Sequence, residues 1–243
     1  MRRFFIDPRH ISGDLITITG PEARHIATVL RITPGTVVEL YDGQGAAILA
    51  KIEQVSGREV LLHMLSRKQI ISDSPPLILV QALLKGKKMD FLIQKATELG
   101  VSTFIPLVTR YCDKMIKNTT RQTERWQRII LESCKQCGRP VAMKLEAPAF
   151  LEQLNFPADT TLIMPWEEEK SCPLTAQIIQ QGSPTLLLVG PEGGFHPDEA
   201  ALAKQMGFTT ISLGPRILRA ETAALAATSI IQFMSHNLDP SPC

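Results

Sequence analysis

Residues 186–207 read LLLVGPEGGFHPDEAALAKQMG, and this stretch decides the fold class. Leu186–Val189 is a short, continuous apolar run, as in a strand buried on both faces. It stops at Gly190, and a loop of Gly, Pro and Glu follows. Pro197–Met206 then reads as a helix. Proline stands at its first position, Asp198 and Glu199 are acids in its first turn, and Gly207 is its stop. The unit is therefore strand, glycine-rich loop, helix. Downstream it repeats: Thr209–Leu213 reads as a strand and Thr222–Leu238 as a helix. Upstream, Leu77–Leu84 reads as a buried strand and Met89–Leu99 as a helix with Met89, Leu92, Ile93 and Ala96 inward, stopped by Gly100. Thr103–Val108 is a strand and Arg121–Cys137 an amphipathic helix. Leu162–Met164 is a strand ending at Pro165, and Pro173–Gln181 a short helix. Such alternation predicts an α/β architecture, a mostly parallel sheet with helices on both faces. Ligands bind such sheets at the carboxyl ends of the strands. The loops after Met164, Val189 and Leu213 stand there.

Residues before 73 read differently. Leu15–Thr19 is a β-rich run stopped at Gly20-Pro21, and Glu22–Leu30 a short helix. Val37–Tyr41 leads into Asp42-Gly43, a hairpin signal, and a second turn falls at Ser56-Gly57 before Val60–Leu62. Short strands at regular spacing predict a small β-barrel. Ser66–Pro76, with two prolines, reads as the linker. The expected domains are 1–72 and 73–243. A length of 243 residues and 26.9 kDa agrees with one to two domains.

The formal net charge of +2 hides a pattern. Residues 73–145 carry +7 and residues 146–243 carry −7, the asymmetry expected where one face meets a polyanion. Arg2, Arg3, Arg24 and Arg31 add cations to the first domain; RNA contact and surface salt bridges explain them equally. No apolar run approaches the roughly 18 residues a membrane helix needs, and no secretory signal is visible. Five scattered cysteines suit reduced thiols in the cytoplasm.

The chain lacks a GxGxxG fingerprint and a Walker A frame, so nicotinamide and nucleotide-hydrolysing chemistries lose their phosphate cradle. Glycines in Gly190–Gly194 let backbone approach a ligand closely. A second loop, Leu213-Gly214-Pro215-Arg216-Ile217-Leu218-Arg219-Ala220-Glu221-Thr222-Ala223, places two arginines beside a helix N-terminus, and both features attract anions. Glu221 or Thr222 as a helix cap is the bland alternative. Cys134 and Cys137 have no second pair to complete a zinc site and fall on an apolar helix face, so core packing is expected and no metal.

Lys85-Gly86-Lys87-Lys88-Met89-Asp90, Gln94–Val101 (QKATELGV), Gly190–Phe195 (GPEGGF) and Leu213-Gly214 with Ile217–Ala223 (ILRAETA) together strongly resemble the RsmE family. These are the 16S ribosomal RNA uridine-N3 methyltransferases of the SPOUT superfamily. Arg3-Phe4-Phe5 and His25–Arg31 (HIATVLR) resemble that family's N-terminal PUA-like domain. The likeness covers nearly the whole chain. One departure stands out: Lys135-Gln136 replaces the family's usual Glu-Gln, an added cation that suits RNA contact.

The resemblance implies a small PUA-like β-barrel that binds RNA and a SPOUT domain whose C-terminal part threads a trefoil knot. It implies S-adenosyl-L-methionine held by the knot loops. On this chain those positions are Met164 and Pro165; Gly190, Pro191, Glu192 and Gly193; Leu213 and Gly214; and Ile217, Leu218, Ala220, Thr222 and Ala223. It further implies a cytoplasmic homodimer acting on 16S ribosomal RNA of the small ribosomal subunit. The last helix, apolar nearly all round, is expected to be buried. Uridine N3 carries a weakly acidic proton, and an arginine would stabilise the charge left when it is removed. Arg219 is expected in that role, with Glu221 as base or as the group that orients Arg219. Arg3, Arg24, Arg31, Lys85, Lys87, Lys88, Arg125, Arg128 and Arg139 are the expected RNA contacts. A SPOUT methyltransferase for another RNA nucleotide, or a non-catalytic RNA-binding assembly factor, is the alternative.

Overall fold

A computed structural model describes residues 1–70, 74–112 and 119–239. Two compact units emerge: Met1–Ser72 with Leu131–Ala142, and Asp73–Ile130 with Met143–Cys243.

The first unit holds strands β1 (Arg3–Phe5), β2 (Ile11–Ser12), β3 (Leu15–Thr19), β4 (Val37–Tyr41), β5 (Ala46–Val55) and β6 (Glu59–Gln69), with a short helix α1 (Gly20–Arg24). Their order is β1-β4-β5-β6-β3-β2. β1 runs parallel to β4 and the other pairs are antiparallel, which gives a mixed half-barrel. Period-2 alternation turns Ala46, Ile48, Ala50 and Ile52 of β5 inward, where they meet Ile16, Leu40 and Leu62. Asp42 closes the β4–β5 turn: its carboxylate accepts from the amides of Gln44 and Ala46 at 2.8 and 2.9 Å. The helix expected over Glu22–Leu30 is α1 followed by one π turn, His25–Val29. The expected linker begins too early. Ser66–Gln69 is polar, yet it pairs with Ala46–Leu49 and extends β6. The boundary expected near residue 73 lies outside the described residues.

The second unit holds β7 (Leu77–Ala82), helix α2 (Lys88–Glu98), β8 (Thr103–Val108), β9 (Lys144–Leu145), β10 (Ala149–Phe150), β11 (Thr161–Pro165), β12 (Thr185–Val189), α4 (Pro197–Gln205), β13 (Thr209–Ile211) and α5 (Ala220–Met234); α3 (Thr119–Cys137) contributes its N-terminal part. Every strand pair is parallel, in the order β10-β8-β7-β12-β11-β13, with β9 also on β8. β8, with β9 and β10, lies on one side of β7 and β11–β13 lie on the other, so the strand order reverses between β7 and β12. That is the switch point where α/β sheets hold ligands. Buried Gln81 ties it together: its amide donates to the carbonyls of Ala82 and Gly190, each at 3.0 Å.

Met89, Leu92, Ile93 and Ala96 of α2 are buried. α2 stops at Gly100, whose φ of +82° suits glycine. A side chain at Gly100 would meet Gln232 Nε2 at 2.8 Å, and that nitrogen donates to the Leu99 carbonyl at 2.7 Å. Three expectations need correction. Only Ala176–Ile178 forms a helical turn within Pro173–Gln181. Cys137 is exposed, whereas Cys134 is buried. α5 spans Ala220–Met234 and is not buried all round: Ala224, Ala227 and Ile231 face the core, but Phe233 is 69% exposed. Uniform apolarity hides which face a helix buries, because the moment that would orient it is weak.

Candidate active site

Three loops meet at the carboxyl ends of β11 and β12 and beyond β13. They enclose a cleft of about 580 Å³, within the usual size of a small-molecule site. Pro165–Glu167, Gly190–Phe195 and Ser212–Ala220 line it, together with Lys88 and Ala223.

Each loop has a local reason for its course. A side chain at Gly190 would meet the Phe195 ring at 3.1 Å, so glycine lets the loop fold back on that ring. Gly194 has φ +73°, and a side chain there would collide with the Glu167 carboxylate. His196 caps α4, and Glu199 completes a capping box by accepting from the His196 amide at 2.9 Å. In the third loop Gly214, with φ +106°, reverses the chain. Among the described residues nothing accepts a hydrogen bond from the amides of Leu213, Ile217 or Leu218. Uncommitted amides beside apolar Leu213, Ile217 and Leu218 leave donors and apolar surface available to a small ligand.

The charged groups converge on Lys88. Its ammonium lies 3.0 Å from Glu192 and 3.6 Å from Glu221. The hydrogen bond to Glu192, with the charges of Glu192 and Glu221, raises the Lys88 pKa against partial desolvation. Burial alone would raise the Glu192 carboxyl; hydrogen bonds from Lys88 and from backbone amides outweigh it, and the net shift is downward. The buried Oε2 of Glu221 makes no hydrogen bond. At 3.6 Å its link to Lys88 is an ion pair only. Glu169, held by Ser171, the Cys172 amide and Thr210, falls to about 2.

The sequence-predicted cofactor residues fall as follows. Pro165, Gly190, Pro191, Glu192, Gly193, Leu213, Gly214, Ile217, Leu218, Ala220 and Ala223 line the cleft. Met164 is fully buried in the core and Thr222 is exposed; neither lines it. Arg219 lines the cleft at the N-cap of α5, exposed, with no side-chain cap bond. Among the described residues its guanidinium has no hydrogen-bond or ion-pair partner.

The expected RNA-contacting cations are less uniform. In the second unit Lys85 and Lys87 are exposed beside the cleft, while Lys88 is drawn into it. Arg125 pairs with Asp90, and Arg128 is exposed. In the first unit Arg24 and Arg31 are exposed, and Arg3 pairs with Glu39 at 3.0 Å. Arg139 is half-buried, and desolvation lowers its pKa. Lys135 is held by Glu22 and Glu132, each at 3.0 Å. Arg216, one of the two arginines the sequence placed in this loop, also lines the cleft, whereas sequence reasoning missed Trp166, Glu167, Glu169 and Lys170 there. The run Trp166–Lys170 directly after a strand end was the available signal. Among the described residues no group of His, Cys, Asp and Glu could hold a metal ion, and no helix is long and apolar enough to cross a membrane.

Comparison with known proteins places this geometry. The family profile described as "RNA methyltransferase domain" matches residues 72–232, and "RNA methyltransferase PUA domain" matches residues 18–65. Ribosomal RNA small subunit methyltransferase E of Synechocystis sp. is 33% identical over 237 residues, covering 94% of this chain and 76% of that protein. The protein of the same name in Bacillus subtilis is 30% identical over 255 residues, covering 98% of each chain. The crystal structure of a Ribosomal RNA small subunit methyltransferase E from Neisseria gonorrhoeae, bound to S-adenosyl methionine, is 29% identical with a TM-score of 0.85, over 96% of this chain and 98% of that one.

Proposed function

The chain belongs to the Ribosomal RNA small subunit methyltransferase E family, and on that premise we propose that it methylates N3 of one uridine in 16S ribosomal RNA, with S-adenosyl-L-methionine as methyl donor. The observation that carries the reading is the cleft itself. Three loops converge at a sheet switch point, with uncommitted amides at Leu213, Ile217 and Leu218 and an uncommitted cation at Arg219 on its edge.

The lining fits the donor. Leu213, Ile217 and Leu218 would take the nucleoside, Gly190–Gly193 the close backbone approach, and Glu192 the cationic end. When bound, S-adenosyl-L-methionine supplies a methyl group on a positively charged sulfur, so the leaving thioether is neutral and needs no protonation. The chain's own work is then positioning and charge management, and positioning alone supplies several kcal/mol. Arg219 stabilises the negative charge that spreads over N3 and its flanking carbonyl oxygens as the N3 proton leaves. Glu221 is the base that takes that proton or the group that orients Arg219 once substrate is bound; without substrate its buried Oε2 makes no hydrogen bond. Lys88 fixes Glu221 against Glu192. Lys85, Lys87 and Arg128 hold phosphates, as do Arg24 and Arg31 of the first unit; Arg3, Arg125 and Arg139 join them once RNA displaces their present partners.

The finer assignments belong to the same proposal. Residues 1–72 form the RNA-binding domain and 73–243 the methyltransferase domain. The trefoil knot that the family resemblance implies is assigned to the chain beyond β13, whose α5 packs against β7 and β12. The working form is a cytoplasmic homodimer, and the exposed apolar Ile230 and Phe233 of α5 support a second subunit.

The test is to incubate the protein with radiolabelled S-adenosyl-L-methionine and unmodified small-subunit particles and map the labelled nucleotide. Label at a single uridine N3 is the expected result. Tight cofactor binding without label would redirect the search to another RNA. No cofactor binding would end the enzyme reading.

A further inference from the structure

One aromatic ring beside the cleft has no use in the mechanism above. Tyr111 follows β8, is 49% exposed and does not belong to the apolar core. Its placement is nonetheless fixed from three sides. Its Cβ, Cγ and Cδ2 stand 3.2, 3.7 and 3.9 Å from where a Gly193 side chain would begin. Gly193 lines the cleft, and the lack of a side chain there lets Tyr111 pack closely on its backbone. The ring also meets His196 edge-on, with centroids 5.7 Å apart and planes at 61°. Finally, Glu199 clamps the two loops together: one carboxylate oxygen accepts from the Arg110 amide at 2.8 Å and the other from the His196 amide at 2.9 Å. Arg110 adds an ion pair across the same two loops, its guanidinium 3.5 Å from the Asp198 carboxylate.

An aromatic side chain that is half exposed, yet anchored by glycine, an edge-on ring and a two-pronged carboxylate, is organised to present its free face. Single-stranded RNA is read by stacking unpaired bases on such faces. A base that is to be modified must leave its own stack, and a waiting ring repays part of that cost. We propose that Tyr111 is the platform on which the target nucleobase stacks as it enters the cleft past Gly193, making it a positioning residue for the RNA substrate. This inference rests on the methyltransferase reading and adds to it the place where the base is held. Glu199 and His196 act through Tyr111 by holding its ring.

The test uses the full chain with Tyr111→Leu, which keeps apolar bulk against Gly193 but has no π face, and Tyr111→Phe, which keeps the face and drops the hydroxyl. In the leucine variant kcat/KM for small-subunit particles falls roughly 10- to 100-fold, the size of one lost base–aromatic stack. Most of the fall is in KM, while S-adenosyl-L-methionine affinity by calorimetry and the melting temperature stay at wild-type values. The phenylalanine variant restores the activity. Equal loss in both variants, or a wild-type KM in the leucine variant, would overturn the proposal. A second readout does not need turnover: 5-iodouridine RNA photocrosslinked to the wild-type protein gives an adduct that mass spectrometry places at Tyr111. An adduct elsewhere counts against the platform. Wild-type protein that crosslinks at Tyr111 yet methylates no uridine would leave the platform standing and refute the catalytic assignment instead.

Discussion

Arg219→Ala separates catalysis from cofactor binding and from stability. Arg219 sits at the N-cap of α5 with φ −63° and ψ 150°, and its side chain makes no capping bond. It is exposed and, among the described residues, unpartnered. Truncation therefore removes no packing, no cap and no ion pair, and stability should stay within about 0.5 kcal/mol of wild type. The amides of Leu213, Ile217 and Leu218 are backbone groups and survive the change. Affinity for S-adenosyl-L-methionine should thus shift by less than about threefold, under 1 kcal/mol. The transition state is another matter. Losing one donor aimed at developing negative charge costs about 10²- to 10³-fold in kcat, or roughly 3–4 kcal/mol. The assay is single-turnover methyl transfer to small-subunit particles, paired with calorimetric titration of the cofactor and a thermal melt. A variant that melts normally but no longer binds the cofactor would show that Arg219 serves binding. A variant that transfers methyl at the wild-type rate would show that it serves neither.

Lys88→Met leaves Glu192 and Glu221 facing each other without the cation 3.0 and 3.6 Å away; methylation should fall more than tenfold, and an unchanged kcat would refute the role given to Lys88. Gly100→Ala places a side chain at φ +82° and 2.8 Å from Gln232 Nε2; with about 1–2 kcal/mol of left-handed strain and about 1 kcal/mol for the disturbed hydrogen bond, urea unfolding should show a loss of roughly 2–3 kcal/mol. Glu169 titrates near 2 when folded, against 4.5 for the free group. A depressed carboxyl stabilises the fold above its unfolded pKa and loses that contribution as pH falls through the folded value; wild type should therefore lose stability between pH 4.5 and 2 more steeply than Glu169→Gln, and parallel profiles would refute the assignment. RNA affinity should fall steeply with salt, and a flat dependence would remove the phosphate contacts.

The strand–loop–helix grammar of residues 77–234 was legible because parallel strands buried on both faces are unbroken apolar runs, and Gly100 and Gly207 punctuate them. Leu77–Ala82, Thr103–Val108 and Thr185–Val189 form where the pattern puts them. The three site loops were legible for the same reason, since a parallel sheet puts its ligand at one end. What escaped was set by distant partners. Ser66–Gln69 looks like linker by composition and is strand because Ala46–Leu49 lies beside it. Tyr111 carries no local signal: its importance comes from Gly193 and His196, more than 80 positions away. The exposed face of α5 was hidden by its own apolarity.

Charge gives the clearest case of a pattern that folding rewrites. Residues 73–145 carry +7 in the sequence, which invites the reading of one uniformly basic face. Folding commits much of that charge locally. Lys88 goes to Glu192 and Glu221, Lys95 to Glu98, Arg125 to Asp90, and Lys144 to Glu146. Lys135 follows the same rule. As a departure from the family pattern it reads as an extra RNA-facing cation, yet its ammonium lies 3.0 Å from both Glu22 and Glu132, and the hydrogen bonds from those carboxylates raise its pKa despite desolvation. A lysine so enclosed offers a phosphate little that its own glutamates do not already take. Substituting Lys135 should therefore lower the stability of the first unit, where Lys135, Glu22 and Glu132 all lie. It should leave the salt dependence of RNA binding unchanged, because that slope counts only cations free to displace counterions from phosphate.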